Sequence, residues 1–281
     1  MTSLRETLVA TREKLAAHGV PFSDREAKDL LALVLGCSRS AIYCDLERTL
    51  SAEEKARYCA LVARRINREP FGYLAGKTTF LECDLTVNCK VLIPRQETEI
   101  LVDQIIQSIA PQEEKTAWDL CCGSGCIGLA VKRARPNLKL TLADQSAAAI
   151  EVASQNARRH KLDVRLLVGD FLGPFNGEKT DYLFCNPPYL AEGDYRQTEP
   201  EVRRFEPKEA LVAGQTGYEF FLRLASELPL FLHEGAKIFL EIGANQSKEV
   251  FKIFNKSYWK QVRCIKDWAG CDRFFFLEFS P

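Results

Sequence analysis

The sequence predicts an α/β protein, a doubly wound sheet preceded by a small all-α region. Three observations carry that expectation. From Trp118 onward, short apolar runs alternate with amphipathic stretches, the pattern of strands joined by covering helices. Before about residue 70, apolar positions such as Leu4, Leu8 and Leu15 recur at helical spacing, with no alternation of period two. At the end, VRCIKDW and RFFFLEF are separated only by Ala269–Gly270–Cys271–Asp272, which predicts an antiparallel hairpin closing the sheet.

Two Ser-x-x-Glu capping boxes, Ser23 with Glu26 and Ser51 with Glu54, predict helix starts, because hydroxyl and carboxylate can satisfy free backbone N–H groups reciprocally. Gly36 and Pro70 supply stop signals. Segment 71–95, with TTFLECDLTVNCKVLI, reads as a β-containing connector. The strands expected after it are TAWDLC, LKLTLAD, DVRLLVGD, DYLFCN and AKIFLEIG, with helical stretches between most of them. The expected organisation is thus a helical domain over 1–70, a connector over 71–95 and the sheet domain over 96–281. Trp118 and Phe274–Phe276 are expected in the core.

Bulk composition narrows the chemistry. The 281 residues are 46% apolar and carry 38 basic and 38 acidic side chains, so no global positive field draws the chain to nucleic acid or an anionic membrane. No run of eighteen apolar residues occurs, and Glu6 and Glu13 lie where a signal peptide would be apolar, which reads as a cytosolic chain without membrane association. Eleven cysteines, an odd number with Cys59 and Cys185 inside apolar runs, read as reduced and mostly buried thiols.

The stretch DLCCGSGCIG, Asp119–Gly128, lies directly after an apolar strand and before the helical stretch IGLAVKRA. An α/β sheet exposes backbone amides there and binds nucleotides. Its cysteines suit a metal poorly: Cys121 and Cys122 are adjacent, Cys126 follows after three residues, and no nearby histidine completes a four-ligand set. No metal is expected. A redox thiol needs electropositive surroundings, and Asp119 works against that. Gly123 and Gly125, flanking Ser124, would let the backbone approach a ligand, with Cys121 and Cys122 packed beneath.

Asp144, at the tip of the next strand, is placed to accept hydrogen bonds from ribose hydroxyls. Asp170 and Phe171, after the following strand, offer a carboxylate for an adenine amino group and a ring for its face. Loop and carboxylates together describe an adenosine site. Acidic Asp119 flanks the loop and no basic residue lies inside it, which suits a cationic adenosine derivative better than pyrophosphate.

Asn186–Pro187–Pro188–Tyr189 follows the strand DYLFC. The two prolines lack N–H donors and stiffen the loop, so backbone carbonyls and the Asn186 side-chain oxygen can face inward as fixed acceptors. Such a loop grips a planar NH2 group, on whose plane Tyr189 can stack. In isolation the tetrapeptide is equally a rigid turn.

These residues resemble the class I S-adenosylmethionine methyltransferases and, within them, the PrmC/HemK family of glutamine N5-methyltransferases. The resemblance runs from about residue 68 to the C-terminus. It rests also on Arg68–Glu69–Pro70 with Tyr73 and Gly76, Val91–Arg95 followed by Glu97–Thr98–Glu99, Glu206–Pro207 with Ala210–Leu211, Glu241–Ile242–Gly243, and Lys266–Gly270 with Asp272–Arg273. It implies a seven-stranded Rossmann-like domain and an N-terminal helical domain that helps hold a protein substrate. The implied activity is methyl transfer from S-adenosyl-L-methionine to the glutamine of the Gly-Gly-Gln motif in bacterial class 1 peptide-chain release factors, yielding S-adenosyl-L-homocysteine and modulating translation termination.

Carried over, Asp119, Cys121, Cys122, Gly123, Ser124, Gly125, Asp144, Asp170 and Phe171 would surround the cofactor. Asn186, Pro187, Pro188 and Tyr189 would hold the glutamine amide, with Asn186 near both ligands. One departure stands out. The family's loop reads Asp-x-Gly-x-Gly-x-Gly, and Cys121 replaces its first glycine.

The competing expectation is a base amino methyltransferase acting on DNA or RNA, which would need a basic footprint such as Arg64, Arg65 and Arg68. A binding module that lost catalysis is a third, disfavoured by the intact NPPY. Arg196, Arg203 and Arg204 read as an irregular segment near the site, and His18, His160 and His233 have no assigned role. A cytoplasmic monomer without direct nucleic-acid binding is the expectation.

Overall fold

The computed structural model describes residues 2–281. Helices α1 (Leu4–Ala17), α2 (Ser23–Leu35), α3 (Arg39–Ile42), α4 (Ala52–Ile66) and α5 (Phe71–Ala75) bury one apolar face each around Leu4, Leu15, Leu30, Leu31 and Tyr58. The Ser51–Glu54 capping box opens α4 as predicted, with both reciprocal bonds made. A second box, Ser3 with Glu6, opens α1.

The box expected at Ser23 does not form. Phe22 precedes α2 in the left-handed region (φ 50) without a side-chain cap, and Ser23 is already helical. With Ser23 inside the helix, the Glu26 amide that its hydroxyl would cap already donates to the Phe22 carbonyl (3.0 Å), and the Glu26 carboxylate pairs with Arg65 instead (Nε to Oε2 3.0 Å). Gly36 ends α2 at φ 64 as expected. Pro70 does not stop α4, which has ended at Ile66; it starts α5.

In chain order there follow β1 (Lys77–Phe80), β2 (Cys83–Thr86), α6 (Glu97–Ser108), β3 (Thr116–Leu120), α7 (Cys126–Ala134), β4 (Lys139–Asp144), α8 (Ala147–Arg159), β5 (Arg165–Val168) and β6 (Thr180–Cys185). Then come β7 (Leu190–Ala191), α9 (Glu192–Tyr195), α10 (Pro200–Phe205), β8 (Val212–Gly214), α11 (Glu219–Glu227), β9 (Leu232–Glu241), α12 (Ser247–Ile253), β10 (Trp259–Lys266) and β11 (Asp272–Phe279).

One sheet of seven strands, ordered β10-β11-β9-β6-β3-β4-β5, forms the centre. Its first five strands in sequence are mutually parallel, and β11 runs antiparallel to β9 and β10, the predicted closing hairpin. Period-two alternation assigns side chains to the two faces: Ala117, Phe274 and Phe276 go to one apolar layer, Trp118 and Phe275 to the other. Strand order reverses between β3 and β6, the place where open α/β sheets leave a crevice at their carboxyl ends.

Contacts divide the chain differently from the expected breaks at 70 and 95. The helical unit continues to Gly76, because Leu74 packs into its core, and it takes in Glu199–Phe205. The β1–β2 hairpin is no separate connector, since Phe80, Cys83 and Leu85 are buried in the core of the sheet unit. The segment after NPPY, expected irregular, forms α9 and α10. The cysteines are all free, but only Cys83, Cys122 and Cys185 are buried; Cys59 lies exposed on α4, because a helical apolar run still turns one side outward. No helix among the described residues is long and apolar enough to cross a membrane.

Candidate active site

A cavity of about 700 Å³ opens at the carboxyl ends of β3, β4, β5 and β6, lined after each strand in turn by Cys121, Asp144, Asp170 and Asn186. Three residues of the β3–α7 turn adopt left-handed backbone, Cys121 (φ 58), Gly123 (φ 53) and Gly125 (φ 81). Cys121 therefore occupies a conformation that favours glycine.

The turn is held from within. The amide of Cys122 donates to the Ala143 carbonyl (3.1 Å), Gly123 to Asp144 Oδ2 (2.9 Å), Gly125 to the Cys122 carbonyl (2.7 Å) and Gly128 to Asp119 Oδ2 (2.8 Å). From outside, buried Asn156 donates to the Ser124 carbonyl and to Thr86 and accepts from the Thr86 amide. Gly123, Gly125 and Gly128 have the spacing of a dinucleotide fingerprint. Their amides, however, are already bound to protein acceptors, two of them carboxylates, so these three glycines do not present N–H groups to a phosphate as the fingerprint requires.

Asp119 lies fully buried behind the turn, and neither it nor Gly125 lines the cavity. Burial pushes its carboxyl up to about 7, against the Gly128 hydrogen bond and with help from the charge of Asp144. Asp144 does line the cavity. Its two oxygens accept from Gly123 and Ser146 (both 2.9 Å), which leaves lone pairs for ligand hydroxyls. Burial raises its pKa, offset in part by those two bonds.

Asp170 and Phe171 reach the cavity with a partner the sequence reading missed. Arg223 of α11 binds Asp170 Oδ2 (2.8 Å) and lays its guanidinium 4.3 Å from the Phe171 ring centre, while Phe220 meets the same ring edge-on at 5.1 Å. All four line the cavity. Nothing near 220 marks these residues in the sequence, because they face the site only through the packing of an amphipathic helix.

Asn186 and Pro188 line the cavity; Pro187 and Tyr189 do not. The amides of Tyr189 and Leu190 both donate to the Leu211 carbonyl (3.1 and 2.8 Å), which ties the end of NPPY to β8. The Tyr189 hydroxyl points at buried Glu241 (3.5 Å to Oε1), whose Oε2 accepts from Thr98 (2.7 Å). The ring is thus committed to the protein, and stacking on a substrate from this position is not what the structure shows. Burial pushes Glu241 up to about 7, against the Thr98 bond and the charge of Arg273. Burial likewise raises the Tyr189 hydroxyl, reinforced by the Glu241 charge.

The Val91–Glu99 segment also reaches the site. Arg95 and Thr98 line the cavity, and Arg95 donates to buried Glu206 (2.8 Å) and to the Ile93 carbonyl (3.0 Å). No cluster of His, Cys, Asp and Glu suited to a metal ion occurs among the described residues. The residues present fit S-adenosylmethionine: apolar walls from Leu120, Ile127 and Phe171, carboxylate acceptors at strand tips, and glycine amides of the turn bound to protein acceptors.

Residues 6–76 match the family model described as the PrmC N-terminal domain, and 96–203 that of the Methyltransferase small domain. The release factor glutamine methyltransferase of Chlamydia trachomatis serovar L2 is 43% identical across 98% of this chain and 94% of its own length. The chain belongs to the release factor glutamine methyltransferase family. The member from Geobacter sulfurreducens is 34% identical over 96% of this chain and 95% of its own. A methyltransferase structure from Pyrococcus furiosus, 19% identical, superposes with a TM-score of 0.53 over 77% of this chain and 98% of its own, which shows the methyltransferase fold. The family segments around Arg95, Glu206 and Glu241 thereby acquire places: they form the wall and support of this cavity rather than isolated sequence marks.

Proposed function

We propose that this methyltransferase moves a methyl group from S-adenosylmethionine to the side-chain amide nitrogen of the Gly-Gly-Gln glutamine in class 1 peptide-chain release factors. It does so in the bacterial cytoplasm as a monomer without direct nucleic-acid binding, modulating termination. The observation that carries the reading is Asn186, fixed at the end of β6 on the wall of the same cavity that Asp144 and the glycine turn line.

When bound, the cofactor supplies an electrophilic methyl group on a sulfonium. Cys121, Cys122, Gly123, Ser124, Asp144, Asp170 and Phe171 are the residues to hold it, with Gly125 shaping the turn from behind. Asn186 Oδ1 and a backbone carbonyl of the loop it opens accept the two amide protons of the glutamine and so orient its nitrogen. An amide nitrogen is a weak nucleophile, and fixing its position removes much of the entropic barrier. As the nitrogen–methyl bond forms and the sulfonium bond breaks, positive charge moves to that nitrogen, where the same acceptors stabilise it until one of its protons leaves to solvent and the neutral N-methyl amide remains. The arginines expected to form any basic face for nucleic acid are engaged: Arg64 binds Glu69, Arg65 binds Glu26 and Glu201, and Arg68 binds Glu201. That supports a protein over a nucleic-acid acceptor.

The test is transfer from labelled cofactor to purified release factor, beside a factor whose motif glutamine is changed. Label should follow the glutamine; label on nucleic acid alone, or on the altered factor, refutes the reading. Asn186→Ala should cut the transfer rate by about 100-fold or more while cofactor affinity changes little.

A further inference from the structure

Gln246, just before α12, makes three side-chain hydrogen bonds to three different loops. Its Nε2 donates to the Tyr189 carbonyl (2.9 Å) and the Gly217 carbonyl (3.1 Å), and its Oε1 accepts from the Gly243 amide (2.8 Å). The amide orientation is forced, since a flip would set oxygen against two carbonyls and NH2 against an N–H. Both neighbouring glycines make room for it. A Cβ at Gly217 would sit 2.7 Å from the Tyr189 carbonyl oxygen, and one at Gly243 would sit 2.9 Å from Gln246 Oε1.

The Gly217 loop is in turn bound to the cavity wall: Glu219, a lining residue, accepts from the amides of Thr216 (2.8 Å) and Gly217 (2.9 Å). One side chain therefore joins the α11 wall of the cavity to the end of the acceptor loop. Pro187 and Pro188 have φ fixed by their rings, so the direction of their carbonyls depends on how the chain is anchored on either side. β6 anchors one side. On the other, Leu211 takes the Tyr189 and Leu190 amides, and Gln246 is the donor that takes the Tyr189 carbonyl.

We propose that Gln246 is a positioning residue for methyl transfer, aligning the Asn186–Tyr189 loop with the cavity through the Tyr189 carbonyl. This rests on the reading of that loop as the amide-binding element. It predicts a loss in kcat with cofactor binding spared, because Gln246 touches the loop and not the cavity.

Three variants test it, each checked for cooperative melting: Gln246→Met, which keeps length but no hydrogen bond; Gly217→Ala, which keeps Gln246 and presses on the same carbonyl; and Asn186→Ala. For the first two, kcat should fall about 10- to 100-fold, with cofactor Kd from calorimetry and KM for the release factor within about threefold of wild type. Should Gln246→Met fail to fold, Gly217→Ala decides. A kcat within about twofold of wild type in either folded variant, while Asn186→Ala abolishes transfer, overturns the positioning role alone. A loss shared equally among kcat, KM and Kd also overturns it, since that is general loosening. Full transfer by Asn186→Ala would instead refute the acceptor-loop reading and this inference with it.

Discussion

A side chain with a Cβ pays about 1 kcal/mol or more to sit at the left-handed backbone of Cys121 (φ 58). Cys121→Gly should therefore raise unfolding stability by about 1 kcal/mol, less the entropy glycine adds to the unfolded chain. Cofactor affinity by calorimetry should hold or tighten, and a clear loss of affinity would show that the thiol itself contributes a contact. Asp119 supplies a second test. Its carboxyl rises from 3.8 to about 7, and Glu241 moves the same way from 4.5 to about 7. Both folded-state values exceed the unfolded ones, so the native state binds more protons and the stability from these groups, full below about pH 4, is lost as pH rises through 7. Asp119→Asn should flatten part of that slope in urea titrations at pH 5 and pH 8; an unchanged slope would mean the carboxyl titrates normally. At this scale Asp144 and Asn186 were legible because each ends an apolar strand. Arg223, Phe220 and the inward turn of Tyr189 were not, because each depends on a partner distant in sequence.

Between β3 and α7, the element that matters most is the turn and its seat. Gly128 lies in the first turns of α7 against β4, and a Cβ there would overlap the Leu142 side chain and stand 2.8 Å from Asp119 Oδ2. Neither neighbour can yield, as Leu142 and Asp119 are both fully buried. Gly128→Ala should cost about 1–3 kcal/mol by overpacking and should weaken cofactor binding, because α7 must lift away from β4 and carry the turn with it. Wild-type melting and affinity would show that the helix shifts freely. All seven sheet strands were readable as apolar runs, since the inner strands are buried on both faces and so read as near-continuous apolar segments. The start of α2 was misread for the opposite reason. Ser23 and Glu26 have the right spacing, but the left-handed backbone of Phe22 puts Ser23 inside the helix, the Phe22 carbonyl takes the Glu26 amide, and the Glu26 side chain pairs with Arg65, thirty-nine residues away.

The chain as a whole crosses between its two units at 76/77, 198/199 and 205/206, and only the first crossing has a local signal. Residues 199–205 belong to the helical unit because Glu201 accepts from Arg68 through both oxygens (2.6 Å each) and from Arg65 (3.0 Å), pairings 133 and 136 residues apart in sequence. The Arg65 side chain is 4% exposed and that of Glu201 15%, so the pairing is screened little by solvent. Burial alone would push Glu201 up, but the bonds from Arg68 and Arg65 outweigh it and hold the carboxyl below its usual 4.5. With the folded value below the unfolded one, the stability from this group is present above about pH 4.5 and lost as pH falls through the lowered value. Removing the carboxylate by Glu201→Ala leaves the buried Arg65 guanidinium with Glu26 as its one remaining charged partner, beside the Glu69 carbonyl, at a cost of about 3 kcal/mol. Hydrogen exchange should then speed up across 199–205 and the end of α4, while the β3 and β4 amides stay protected. The acid sensitivity of the helical unit should shrink in the same variant. Unchanged exchange in 199–205 would mean that helix α10 is kept in place by packing, and that the ion pairs follow the fold without holding it.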